Sequence, residues 1–164
     1  MEKRELIHLK DGCLILHHEG APRLRSLGLG PRFVPVNAIK QVQTLLEDNT
    51  FWAKGRTQKQ IRQMIKNGNA IVTIWKNYRL IGFGRGTSDS IFRAVLWDIV
   101  IASDYQKTGL GKILLRTLLE SKSIKDVEKV YLMTTNGKMF YEENNFSEVT
   151  DQTLLVRYKQ QDNA

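Results

Sequence analysis

The stretch from Asp98 to Leu119, DIVIASDYQKTGLGKILLRTLL, constrains the fold more than any other part of the chain. Ile99, Val100 and Ile101 form a short β-branched run, as in a strand covered on both faces. From Leu110, apolar residues recur at Ile113, Leu114, Leu115, Leu118 and Leu119, with Lys112, Arg116 and Glu120 between them. That period predicts a helix with one wide apolar stripe. Between strand and helix lies Gln106-Lys107-Thr108-Gly109-Leu110-Gly111. A helix start leaves about four backbone N–H groups unpaired and carries the positive end of the helix dipole. Glycine allows φ > 0 there and lets a ligand reach the backbone without meeting a Cβ. Such a junction is an anion site, above all for phosphate. It is neither a Walker loop, since no Gly-Lys-Ser/Thr follows, nor a GxGxxG fingerprint, since Leu114 stands where the third glycine belongs.

A net charge of +8 admits two readings, a nucleic-acid face or a surface serving a phosphorylated ligand. The 25 Lys and Arg are spread along the chain with no run longer than two, which favours the second and argues against specific nucleic-acid binding. The 164 residues suffice for one domain with a real core. No apolar run approaches the ~20 residues that span a bilayer, so no membrane segment is expected. Cys13 is the single cysteine, so no intrachain disulfide is possible. The histidines His8, His17 and His18 have no metal-ligand spacing, and no metal is expected; His17-His18 reads as a surface pair at a strand end. The start, Met1-Glu2-Lys3-Arg4-Glu5, is unlike a transit or signal peptide.

All three prolines and Gly12, Gly20, Gly28 and Gly30 fall in residues 1–35, read as one short strand over Cys13 to Leu16 and an irregular connection from Gly20 to Pro35. These belong to the same domain as residues 36–158, and 159–164 is a polar tail. Asn37 is a candidate N-cap for a helix over Ala38 to Glu47, and Thr57 for one over Gln58 to Lys66. Phe51 and Trp52, in the loop between these helices, are either core plugs or the wall of a pocket. Ala70 to Trp75 and Leu80 to Gly86 form a hairpin, and Ala94 to Ala102 the next strand. Lys129 to Met133 is a short strand expected beside Ile99 to Ile101, Lys138 to Glu143 a short helix, and Phe146 to Tyr158 closing strands.

The turn carries the pattern Gln106-x-x-Gly109-x-Gly111, which resembles the acetyl-CoA signature Gln/Arg-x-x-Gly-x-Gly/Ala of the GNAT acetyltransferases. Ile101-Ala102-Ser103-Asp104-Tyr105 resembles the family's V-x-P-E-Y, with Ser103 in place of proline, and Phe140-Tyr141-Glu142 through Phe146 resembles its F-Y-E-K-L-G-F. Gly82-x-x-Arg85-x-Thr87-Ser88-Asp89 and Trp97-Asp98 are similar to the cyanobacterial and plastid branch that includes plant serotonin N-acetyltransferases and small plastid-encoded acetyltransferases of red algae. The resemblance implies an α/β (α+β) GNAT fold, a central mixed, mostly antiparallel sheet flanked by helices. It implies transfer of the acetyl group of acetyl-CoA to a primary amine by direct attack in a ternary complex. The alternatives are a GNAT-fold module that holds CoA without turnover and a basic nucleic-acid-binding domain. It also implies a plastid stroma or a cyanobacterial cytoplasm, and a monomer or homodimer.

Under that resemblance, Ile99, Val100 and Ile101 line the pantetheine arm, and the N–H groups of Gln106, Lys107, Thr108, Gly109, Leu110, Gly111 and Lys112 hold the pyrophosphate. Tyr141 is the candidate acid for the departing thiolate, a phenol being a donor at ordinary pH, or else a ring packed for its bulk. Asn145 replaces the family's glycine and suits a left-handed helix end. A carboxylate inside the apolar run Val95 to Ile99 is costly unless paired or wet, so Asp98 is the candidate base for the amine, or else a structural hydrogen-bonding group. Trp97, Phe51, Trp52 and Thr134 are candidates for acceptor binding. The acceptor implied is either a small arylalkylamine or a protein lysine or N-terminus; Thr134 stands where plant members carry an acidic residue, which speaks against the arylalkylamine.

Overall fold

The computed structural model describes residues 3–9, 11–19 and 30–158. The chain divides into two compact units, Met1–Met133 and Thr134–Ala164. The first holds a sheet whose six strands lie in chain order: β1 (Lys3–His8), β2 (Leu14–Glu19), β3 (Ala70–Lys76), β4 (Arg79–Ser88), β5 (Arg93–Ile101) and β6 (Lys129–Tyr131). Each of the first five runs antiparallel to its neighbour, and β6 joins β5 in parallel. Helices α1 (Ala38–Asn49), α2 (Gln58–Lys66) and α3 (Leu110–Leu119) belong to this unit, and the short α4 (Lys138–Glu142) to the second. The sheet is mixed and mostly antiparallel, as expected.

Local chemistry explains the joints. The β3–β4 connection is a two-residue turn in which Asn77 and Tyr78 both have positive φ, 48° and 63°. That backbone twist matches the twist of the paired strands. Helix α2 begins with a capping box, in which Thr57 Oγ1 accepts from Gln60 N–H and Gln60 Oε1 accepts from Thr57 N–H. Asn37 stands at the start of α1 with φ 50° and makes no side-chain cap. Gln41 ties this end down instead: its Nε2 donates to Val36 O and Tyr78 O, and its Oε1 accepts from Leu80 N–H.

Two faces of the sheet follow from the pleat. A Cβ on Gly84 would lie 2.7 Å from Leu114 and 2.9 Å from Leu118, so α3 packs directly on the backbone of β4 there. Alternation puts Phe83, Arg85 and Thr87 on the opposite face, which α1 and the loop to α2 cover.

Five expectations change or resolve. The N-terminal region supplies two strands rather than one, because β1, rich in charge, forms an edge to β2. His17 and His18 are buried, since β2 lies between β1 and β3, and His17 Nε2 hydrogen-bonds Ser121 Oγ at 2.8 Å. Phe51 and Trp52 are not core plugs: they are 63% and 49% exposed. Among the described residues, 146–158 contain no strand, and β6 pairs with Arg93 to Val95 rather than with Ile99 to Ile101. Most of the irregular connection, 20–29, and the tail, 159–164, lie outside the described residues.

Candidate functional site

The site is built on a fault in β5. Phe83 pairs with Val100 and Arg85 with Trp97, so Gly84 of β4 faces both Asp98 and Ile99. This is a β-bulge, and Asp98 takes it up with a φ of 51°. The extra residue sends Trp97 and Asp98 to the face of Arg85, while Ile99 turns toward α3 beside Gly84. The Asp98 side chain is only 4% exposed. Its Oδ2 accepts from Arg85 Nε at 2.7 Å and its Oδ1 from Arg56 Nη1 at 2.8 Å. A carboxylate at this depth needs such partners. Both oxygens expected to receive the amine's proton are thus already accepting. Arg85 also lies over the Trp97 ring, 5.4 Å from its centre, and Trp97 Nε1 donates to Thr87 Oγ1 at 2.8 Å.

Arg56 sits at the end of a firmly held loop. Thr50 Oγ1 donates to Leu46 O, Ala53 is buried, Gly55 N–H donates to Glu47 Oε2, and Gln43 Nε2 donates to Arg56 O. The exposed Phe51 and Trp52 rings meet edge to face at 5.3 Å on this same loop. Beside α1, a groove of about 300 Å³ is lined by Lys40, Gln41, Asp48, Asn49 and Arg79 among others.

Beyond the bulge, the outer edge of β5 opens. β6 pairs only with Arg93, Ala94 and Val95, and no described strand covers the edge from Leu96 to Ile101. Ile101 leads into the turn, which is held at several points. Ser103 N–H donates to Asn49 Oδ1 at 2.8 Å, and Arg79 grips Asp104 with two N–H groups at 2.6 and 3.2 Å. This pairing holds the Asp104 carboxyl below its ordinary range and pushes the Arg79 guanidinium up. Gln106 Nε2 donates back to Ile101 O, and Thr108 Oγ1 to Tyr105 O. Lys107 and Gly109 take positive φ, 61° and 86°. Gln106 N–H donates weakly to Ser103 O at 3.4 Å, so it leaves the expected anion-binding run. Among the described residues, nothing accepts from the N–H groups of Lys107, Thr108, Gly109, Leu110, Gly111 and Lys112. These consecutive donors at the start of α3 are what a phosphate requires.

Residues 39–146 match the family model described as the acetyltransferase (GNAT) family. The chain belongs to the GNAT family. An uncharacterized N-acetyltransferase ycf52 of Pyropia yezoensis is 34% identical over 89 residues, 52% of this chain and 51% of that protein. A ycf52-like N-acetyltransferase of Prochlorococcus marinus is 33% identical over 121 residues, 66% of this chain and 67% of that one. The chain thus spans about half the length of the first of these curated relatives. In fold, a GNAT-family protein from Xanthomonas campestris superposes with a TM-score of 0.67 at 22% identity, covering 76% of this chain and 87% of that chain.

In this GNAT chain, the remaining expected site residues belong to the second unit. Tyr141 packs edge to face against Phe140 and Phe146, with ring centres 5.0 and 5.9 Å away. Burial pushes its phenol above the ordinary value of 10.0. No described residue bonds its hydroxyl. Asn145 takes a φ of 66°, and Phe146 N–H closes the turn onto Tyr141 O. Thr134 Oγ1 accepts from Gly137 N–H at 3.0 Å, a turn bond just before α4. Sequence reasoning assigned no role to Arg56 or Arg85. Arg85 stands inside a quoted pattern, but only the fold brings it and Arg56 to one carboxylate.

Proposed function

We propose that this chain transfers the acetyl group of acetyl-CoA to a primary amine by direct attack in a ternary complex. The observation that carries the reading is the run of N–H groups from Lys107 to Lys112 that have no acceptor among the described residues, directly after a strand edge that no described strand covers. The open edge from Leu96 to Ile101 offers backbone groups to the amide-bearing pantetheine arm, as to an added strand. The amides of the turn, with Lys107 and Lys112, offer donors and charge to the pyrophosphate. The amine nitrogen attacks the thioester carbonyl carbon, and the C–S bond breaks. Tyr141 donates its phenolic proton to the departing sulfur and is reprotonated from water. The acceptor ammonium loses one proton to solvent before attack, and the nitrogen loses a second after it, which balances through water the proton that Tyr141 gave to sulfur. Asp98 acts by positioning: it fixes two guanidinium groups on the acceptor face. Family membership and the ycf52 relatives support the transfer reading over a silent CoA-binding module. The relatives also support a plastid or a cyanobacterial cell as the setting.

Titration calorimetry with acetyl-CoA, on wild type and on Gly109→Val, tests the site. Gly109 has a left-handed φ of 86° and open space where a Cβ would lie, so valine there deforms the turn and projects into the ligand. Acetyl-CoA affinity is expected to be lost from a folded Gly109→Val protein. Unchanged affinity would place the cofactor elsewhere. Thiol release with a panel of amines then tests transfer itself.

A further inference from the structure

We propose that the acceptor amine carries a carboxylate, and that Arg85 and Arg56 receive it. The inference rests on the transfer reading above and narrows its acceptor. Two guanidinium groups share one carboxylate at Asp98, which leaves the cluster with a surplus positive charge. The Arg85 and Arg56 side chains are 15% and 31% exposed, so the surplus is partly withdrawn from water. Surplus charge in that setting is costly until an anion meets it.

The donors are also unspent in the right places. Asp98 uses Nε of Arg85 and Nη1 of Arg56, and Arg56 Nη1 also touches Met64 Sδ at 3.6 Å. Among the described residues, the two Nη atoms of Arg85 and the Nη2 atom of Arg56 have no protein partner. Guanidinium forks of this kind match a carboxylate in geometry as well as charge. Both are preorganised. Arg85 lies on Trp97, itself tied to Thr87, and Arg56 ends a loop held by Glu47 and Gln43.

Charge then sorts the acceptors. A simple amine arrives as an ammonium, and a positive cluster repels it without offering a contact in return. An amine with a carboxylate gains a charge-assisted pair. The same positive field lowers the pKa of the neighbouring amine, which frees its lone pair for attack.

The experiment compares matched acceptors with acetyl-CoA, read by thiol release: phenylalanine against phenethylamine, and N-acetyl-Asp-Lys-amide against N-acetyl-Asn-Lys-amide. The first pair probes a free amino acid and the second a peptide side chain. In wild type, at least one carboxylate member is expected to have kcat/KM higher by about 10- to 100-fold, mainly through KM. Arg85→Gln and Arg56→Gln should each bring that ratio toward one, and Arg85→Lys should keep part of it. Acetyl-CoA affinity, measured by calorimetry on the same variants, should hold. A wild-type ratio near or below one in both pairs overturns the inference and leaves the transfer reading standing. So does a ratio retained in both glutamine variants. A parallel loss of acetyl-CoA affinity would assign the guanidinium groups to the cofactor and overturn it as well. Thiol release with no acceptor at all would remove the transfer reading, and this inference with it.

Discussion

Tyr141→Phe deletes one oxygen and keeps the ring that packs on Phe140 and Phe146. If Tyr141 protonates the thiolate, acetyl-CoA affinity and stability should hold while turnover falls by roughly 10²–10⁴-fold. A loss confined to KM would make Tyr141 a binding group, and wild-type turnover where chemistry limits the rate would remove it from the mechanism. The pH dependence follows from the same residue. Burial raises the phenol's pKa above 10.0, so the folded state favours the protonated form, the form that donates. Tyr141's contribution to stability is therefore complete below pH 10 and lost as pH rises through its folded value. An alkaline limb of kcat that belongs to Tyr141 should lie above pH 10. A limb near neutrality that vanishes in Tyr141→Phe would contradict this. Asp98 tests differently. Asp98→Asn leaves two guanidinium groups without their counter-charge, one of them reaching water through Arg56. A loss of about 3 kcal/mol is expected by urea unfolding, the low end for breaking a buried pair. A change under about 0.5 kcal/mol, the size of an ordinary surface substitution, would mean the cluster is solvated and adds no support.

At the scale of elements, the open edge of β5 and the start of α3 should behave as one binding surface. Among the described residues their outward amides have no acceptor, so they should exchange hydrogen quickly. Adding acetyl-CoA should slow exchange in peptides covering Leu96 to Ile101 and Lys107 to Lys112 together. Protection confined to the α1 groove instead would move the cofactor off the β5 edge and the start of α3. These elements were the legible part of the sequence, for a local reason. The α3 stripe, the Thr57 N-cap and the left-handed Asn145 are each set by neighbours within about one turn of chain. What stayed hidden depends on distant partners. Arg56 meets Asp98 across 42 residues and Arg85 across 13, and no spacing rule announces either pair. The buried His17 meets Ser121 across 104 residues, which no local pattern announces. The closing strands expected over Phe146 to Tyr158 are absent among the described residues, and apolar residues such as Leu154 and Leu155 are instead exposed.

For the molecule as a whole, the net charge of +8 must be weighed against where the charge sits. Arg56, Arg79, Arg85, Arg93, Arg116, Lys125 and Lys138 all stand in ion pairs, so the excess is carried by the other cations. What remains is diffuse, while the ordered donors are gathered at Lys107 to Lys112. A diffuse positive surface binds any polyanion weakly and releases it as salt displaces the counterions. An ordered donor array binds one anionic ligand and keeps most of that affinity in salt, because its contacts are short and fixed. The two ligands therefore separate in a thermal-shift experiment run at two salt concentrations. Acetyl-CoA at a hundredfold excess over its Kd should stabilise the unit that binds it by about 2.7 kcal/mol, a shift of several degrees. At a ligand concentration readjusted to the same excess over Kd, the shift should survive physiological salt. Duplex DNA should raise the melting temperature only at low ionic strength and without regard to sequence. A sequence-selective DNA complex that persists at physiological salt, with no shift from acetyl-CoA, would reverse the order of these two ligands. The anion site at α3 would then belong to a nucleic acid rather than to a thioester.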